Sequence, residues 1–97
     1  MLIAAAVCPH PPLLVPEVTG ASDPAARELD RLRAACRDAV AVLLGAAPDL
    51  LVVAGGAGQT AEYPAKAGGS LRDFAVPVTV GADPVLPLSL TIGKWLL

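Results

Sequence analysis

The stretch DPAARELDRLRAACRDAVAVLLG, residues 23–45, carries the strongest fold signal in this chain. Ser22 or Asp23 can cap a helix, Pro24 suits a first helical turn, and Gly45 stands at the far end. Apolar side chains recur between these signals at steps of three and four residues: Leu29, Leu32, Cys36, Ala39, Val40 and Leu43. The pattern predicts one long amphipathic helix.

The opposite face of this predicted helix is charged. It carries Arg27, Glu28, Asp30, Arg31, Arg33, Arg37 and Asp38. Glu28–Arg31 and Asp30–Arg33 are opposite-charge pairs at the i,i+3 spacing, which stabilise a helix by about 0.2–0.5 kcal/mol each. We interpret this run as a solvated helix face rather than a binding surface.

Two short apolar runs flank the predicted helix. Residues 2–7, LIAAAV, end at a proline cluster, and residues 49–54, DLLVVA, follow Pro48. Such continuous runs are typical of strands buried on both faces of a parallel sheet. Strand, helix and strand joined by short connections predict a right-handed βαβ unit. We therefore expect an α/β fold in three layers with a mostly parallel sheet, formed as one domain over residues 1–97.

The rest of the chain predicts a loop, a strand and a helix. Residues 55–70, GGAGQTAEYPAKAGGS, predict a loop whose glycines match neither nucleotide-binding pattern. Residues 76–80, VPVTV, predict a third strand, and Pro77 places it at an edge or delays its pairing. Residues 87–97, PLSLTIGKWLL, predict a helix that stops on apolar side chains. This unfinished pattern leads us to expect an incomplete domain, truncated at its carboxyl end.

The composition indicates which binding partners and which cellular compartment to expect. A net charge of −2 argues against nucleic acid or an anionic membrane as the main partner. No run reaches the ~18 apolar residues of a spanning helix, and MLIAAAVC lacks the positive start of a signal peptide. Two cysteines, Cys8 and Cys36, make no disulfide framework, so we expect a cytoplasmic protein. Unpaired strand edges predict self-association.

The bend after the first predicted strand holds the chain's single histidine. It reads VCPHPPLLVPE, residues 7–17, and its prolines argue against a helix or a central strand. With the predicted helix and PDLLVVAGG, residues 48–56, this bend resembles the amino-terminal part of the class III extradiol ring-cleavage dioxygenases. More narrowly, it is similar to actinobacterial B-subunit-like members of that superfamily, which also contains the Memo-like proteins. The likeness covers nearly the whole chain.

The resemblance implies a non-haem Fe(II) site at the carboxyl ends of the strands and small aromatic, catecholic substrates. It also implies two histidines and a glutamate as iron ligands, and His10 matches the first histidine. No histidine occurs after the second predicted strand, at residues 54–58, and no catalytic residue can be carried over. One imidazole cannot hold the metal alone. Glu17 in the bend and Glu62 in the following loop are weak further candidates, since both lie on the expected ligand side.

Two functions stay open on this basis. The first is a dioxygenase-like oxidoreductase in which His10 is a metal ligand, with its partner ligands supplied downstream or by another subunit. The second is a non-catalytic module that binds a small molecule or a protein on the same scaffold, as the missing second histidine favours. Cys8, two residues before His10, could add sulfur for zinc or copper(I), or could be an ordinary buried cysteine.

Overall fold

The computed structural model describes residues 1–20 and 22–97. Its regular elements are mostly helical. The α-helices are α1 (Pro16–Thr19), α2 (Ala26–Gly45) and α3 (Leu88–Leu96). The strands are β1 (Gly69–Ser70) and β2 (Thr79–Val80), and single 3-10 turns lie at Pro12–Leu14 and Arg72–Phe74. Helices and one small antiparallel sheet therefore make up the regular structure of the described residues.

Helix α2 confirms the helix predicted from residues 23–45, but it begins at Ala26, so Pro24 lies before its first turn and no side chain caps it. The carboxylate of Asp23 accepts a hydrogen bond from the backbone N–H of Ala25 at 2.7 Å. Its carbonyl accepts another from the N–H of Ala26 at 3.0 Å, which turns the chain into the helix. The helix ends at Gly45, as its sequence position predicts.

The sheet differs from the prediction. Over residues 1–20 and 22–97, segments 2–7 and 49–54 form no strand, and no backbone hydrogen bond joins them. The three-layer, mostly parallel sheet with its βαβ unit is therefore not seen there. Its absence has a physical reason, because parallel pairing is the weaker kind and two strands need further strands or a helix packed against them to be stable. Leu2 and Val52 are 83% and 73% exposed, so neither segment is covered.

The proline bend contains the short helical turns that its sequence argued against. Pro12 begins a 3-10 turn and Pro16 begins α1. In both places the proline occupies the first helical positions, where its missing N–H leaves no hydrogen bond unmade. Proline is costly in a helix interior but not at a helix start, so the expectation that the bend contains no helix was wrong.

The small sheet is formed by the last residues of the glycine-rich loop and the last residues of the third predicted strand. Strand β2 begins beyond Pro77, as predicted, and β1 occupies residues that were predicted as loop. Gly69 pairs with Val80, and Ser70 pairs with Thr79. A side chain at Gly69 would overlap Thr91 of α3, so glycine allows β1 to lie directly against that helix.

A small core joins the bend, α2 and α3. It consists of Leu14, Val15, Cys36, Leu71 and Ile92, all nearly inaccessible to solvent. Helix α3 confirms the helix predicted at residues 87–97 and contributes Ile92 to this core. None of the helices in the described residues is long and apolar enough to cross a membrane.

Candidate functional site

A cleft of about 130 Å³ lies where the ends of the two apolar segments meet. Ala6 and residues 8–10 line it on one side and residues 51–55 on the other, whereas α2 contributes Val40 and Leu43. Helix α3 contributes Ser89, Gly93 and Leu96. The ends of the two segments thus border one cleft, although no ladder joins the segments.

His10 lies at this cleft with an exposed side chain. Within residues 1–20 and 22–97, no side-chain hydrogen bond is formed by its imidazole ring. The ring is therefore free to bind a ligand that enters the cleft.

The two carboxylates do not line the cleft. Glu17 is exposed in α1, and Glu62 is exposed in the loop that follows residue 54. In the described part of the chain, no group of three or more His, Cys, Asp or Glu side chains could hold a metal ion. A facial Fe(II) site needs two histidines and a carboxylate. The residues present do not fit the iron that the resemblance implies.

Arg33 holds the proline bend against α2. The sequence interpretation put this side chain on a solvated face, and that was wrong, because it is only 6% exposed. Its Nε donates to the carbonyl of Leu14 at 2.6 Å. One Nη donates to the carbonyl of Leu13 at 3.3 Å and to the hydroxyl of Thr19 at 3.2 Å. A single guanidinium thus fixes three groups of the segment that follows His10.

The predicted Asp30–Arg33 ion pair is present, but its arginine is the buried side chain that holds the bend. The other Nη of Arg33 lies 2.7 Å from the carboxylate of Asp30, which stays 74% exposed. A signal for this role was present in the sequence. The prolines of the bend cannot donate hydrogen bonds, so the carbonyls around them need donors from elsewhere, and the facing helix carries arginines.

Glycines let α3 approach the other side of the cleft. The hydroxyl of Ser89 donates to the carbonyl of Gly56 at 2.8 Å. A Cβ atom at Gly55 would lie 2.6 Å from the Cβ of Ser89, and one at Gly93 would lie 2.7 Å from a methyl carbon of Val53. Larger residues at Gly55 or Gly93 would push the segment and the helix apart and widen the cleft.

Cys8 lines the cleft, and Cys36 lies near it in the core. Cys36 is 3% exposed, and the half-buried Cys8 packs against the core cluster that contains it. Burial, followed by the nearby thiol of Cys8, raises the pKa of the Cys36 thiol above its ordinary value of 9.0. Sequence reasoning treated the two cysteines separately, because a separation of this length has no pattern that predicts contact.

Comparisons with known proteins find no relative of this chain. No family model, no curated protein and no solved structure matches the chain. The likeness to the extradiol dioxygenases therefore stays a prediction that rests on the bend and on residues 48–56.

Proposed function

We propose that this chain has an extradiol-dioxygenase-like scaffold that binds a single-ring aromatic molecule in the cleft beside His10, without metal-dependent ring cleavage. In the same proposal, residues 2–7 and 49–54 become neighbouring parallel strands of a three-layer α/β domain when further strands or helices cover their exposed side chains. The observation that carries the proposal is the meeting of both segment ends at one cleft.

The size of the cleft supports a small aromatic ligand. Its volume is about 130 Å³. An apolar cavity of about 150 Å³ in another protein is known to take up benzene. A molecule with one ring and one or two hydroxyl groups therefore matches the space better than a nucleotide or a peptide would.

The chemistry of the lining also supports such a ligand. Val40, Leu43 and Leu96 supply apolar contact, and His10 supplies an imidazole whose ring is free to bond a phenolic hydroxyl. Small-molecule sites commonly combine apolar walls with a few polar groups in this way. The remaining polar side chain, Ser89, is already bonded to the backbone of Gly56 and fixes the wall.

The alternative is a dioxygenase-like oxidoreductase that uses Fe(II). Its support is the position of His10 at the cleft, where the resemblance implies the first iron ligand. It requires donors beyond the described residues, because no suitable group of side chains occurs among them. The binding proposal requires no such donors and is preferred for that reason.

Titration of the full chain with catechol, followed by amide and side-chain NMR, tests the binding proposal. Ligands of this size bind with Kd values of about 1 mM when they gain about 0.5 kcal/mol per heavy atom. We expect saturable shifts at Cys8, His10, Gly55 and Ser89. A cyclohexane diol, which has the hydroxyls without the flat ring, should bind more weakly.

A cleft-filling variant separates specific binding from surface binding. Leu43→Trp should remove catechol binding, because residue 43 lines the cleft. Leu44→Trp is the matched control, since Leu44 is 47% exposed and lies outside the cleft lining. Equal binding by both variants would contradict the proposal.

Ferrous iron distinguishes the two functions. Under the binding proposal, Fe(II) added without oxygen leaves catechol affinity and the His10 signals unchanged, and no ring-cleaved product forms when oxygen is admitted. Iron-dependent product that disappears in His10→Ala would establish the oxidoreductase instead.

A further inference from the structure

The two cysteines occupy the same face of helix α2. Cys8 packs against the core cluster that contains Cys36. It also lines the cleft together with Val40 and Leu43, which follow Cys36 by one and two helical turns. Two independent sets of neighbours therefore place Cys8 beside the stretch of α2 that carries Cys36.

The two thiols differ in access. Cys8 is half-buried and borders the open cleft, so a small oxidant can reach it. Cys36 is buried, and burial raises the pKa of its thiol, which keeps it protonated and slow to react by itself. This is the arrangement of an entry cysteine with a resolving cysteine behind it.

We propose that Cys8 and Cys36 are a redox-active pair that closes into a reversible intramolecular disulfide. The bond joins Cys8, at the start of the bend, to helix α2. Since Arg33 already holds Leu13 and Leu14 of the bend on the same helix, oxidation fixes the chain on both sides of His10.

The oxidation uses a hydroperoxide as its two-electron acceptor. The sulfur of Cys8 attacks one peroxide oxygen, the O–O bond breaks, and Cys8 becomes a sulfenic acid while water leaves when hydrogen peroxide is the oxidant. The sulfur of Cys36 then attacks the sulfur of Cys8, the S–O bond breaks, and the departing hydroxyl takes the Cys36 proton to leave as water. An external dithiol reverses the reaction.

Treatment of the reduced full chain with one equivalent of hydrogen peroxide tests the pair. We expect the intact mass to fall by two hydrogen atoms and both thiols to stop reacting with iodoacetamide. Trypsin should then release residues 1–27 linked to residues 34–37, because it cleaves after Arg27, Arg33 and Arg37. Dithiothreitol should separate these peptides.

Folding should accelerate formation of the Cys8–Cys36 disulfide. We expect it to form about tenfold faster in the folded chain than in concentrated urea, because the fold holds the two sulfurs close together. Equal rates would contradict the proposal. Sulfinic acid at Cys8 with an alkylatable Cys36, or cross-links formed only between two chains, would also overturn it.

Single-cysteine variants assign the two roles. In Cys36→Ala, Cys8 should accumulate as sulfenic acid that dimedone traps, whereas in Cys8→Ala, Cys36 should remain a thiol. Rapid oxidation of Cys36 in the second variant would show that Cys8 is not the entry site. If one variant fails to fold, the peptide map of the unsubstituted chain still tests whether the disulfide forms.

Discussion

The proline bend, residues 7–17, and the glycine-rich loop, residues 55–70, are held to the rest of the fold in the same way but differ in how far they are buried. In each, a neighbouring helix donates side-chain hydrogen bonds to backbone carbonyls. Arg33 of α2 does so for the bend. Ser89 and Lys94 of α3 do so for the loop, with the ammonium of Lys94 2.7 Å from the carbonyl of Ala65 and 2.6 Å from that of Ala67.

The outcome differs because the donors and their surroundings differ. Arg33 is buried, and its planar guanidinium reaches several acceptors at once. Leu14 and Val15 of the bend are fully buried. Lys94 is half-buried and holds only the end of the loop, where Ala67 is 5% exposed, whereas residues 49–62, which it does not bond, all stay exposed. Apolar composition does not bury a segment by itself. A segment is buried when a neighbour satisfies its backbone and covers its side chains.

The largest effect is expected at Arg33. Arg33→Met should lower the free energy of unfolding by about 3 kcal/mol, because it leaves carbonyls of the bend without donors in a buried place. Lys94→Met should cost about 1 kcal/mol, since water can reach the exposed carbonyl of Ala65 in place of the ammonium. Urea unfolding followed by tryptophan fluorescence measures both, and Arg37→Met on the exposed face is the control. Equal costs at Arg33 and Lys94 would break the comparison.

Adjacent glycines in the loop should respond differently to a methyl group. Gly55→Ala should destabilise the chain by about 2 kcal/mol, because the new Cβ would lie 2.6 Å from the Cβ of Ser89. Gly56→Ala should change stability by less than about 0.5 kcal/mol, since nothing lies within 4 Å of a Cβ there. The same urea titration measures both. A neutral Gly55→Ala would mean that α3 does not press on the loop.

The exposed apolar segments should drive self-association. Val52 and Val42 are 73% and 74% exposed, the first in segment 49–54 and the second on α2. We expect the unsubstituted chain to dimerise or aggregate, and Val52→Lys to raise the dissociation constant about tenfold, because a charge at an unpaired edge opposes pairing. Val42→Lys should leave association nearly unchanged. Sedimentation equilibrium measures it, and a monodisperse monomer would contradict the expectation.

The smallest effect is expected from the thiol beneath the bend. Because the pKa of Cys36 is raised above 9.0, the folded chain keeps this proton at pH values where the unfolded chain has lost it. This contribution to stability is therefore fully present below pH 9.0 and is lost as the pH rises above it. Urea unfolding under reducing conditions should show a steeper alkaline decline than in Cys36→Ala. In Cys8→Ala part of the difference should persist, since burial is the main cause.

The candidate site was predictable only in part. His10 was singled out as the one imidazole at the end of an apolar run, and it does line the cleft. Glu17 and Glu62 were grouped with it by their order along the chain, yet neither reaches the cleft. Order along the chain places a residue after a segment, but it does not say in which direction the intervening turns carry it.

Helices α2 and α3 were determined by the sequence itself, because their 3.6-residue apolar period relates residues that are only a few positions apart. Only the tertiary structure decided that Arg33 turns inward, that Cys8 meets Cys36, and that residues 2–7 and 49–54 stay unpaired. The reason is physical. A hydrogen bond, a buried thiol or a strand ladder needs a partner far along the chain, and local periodicity carries no information about which distant segment supplies it.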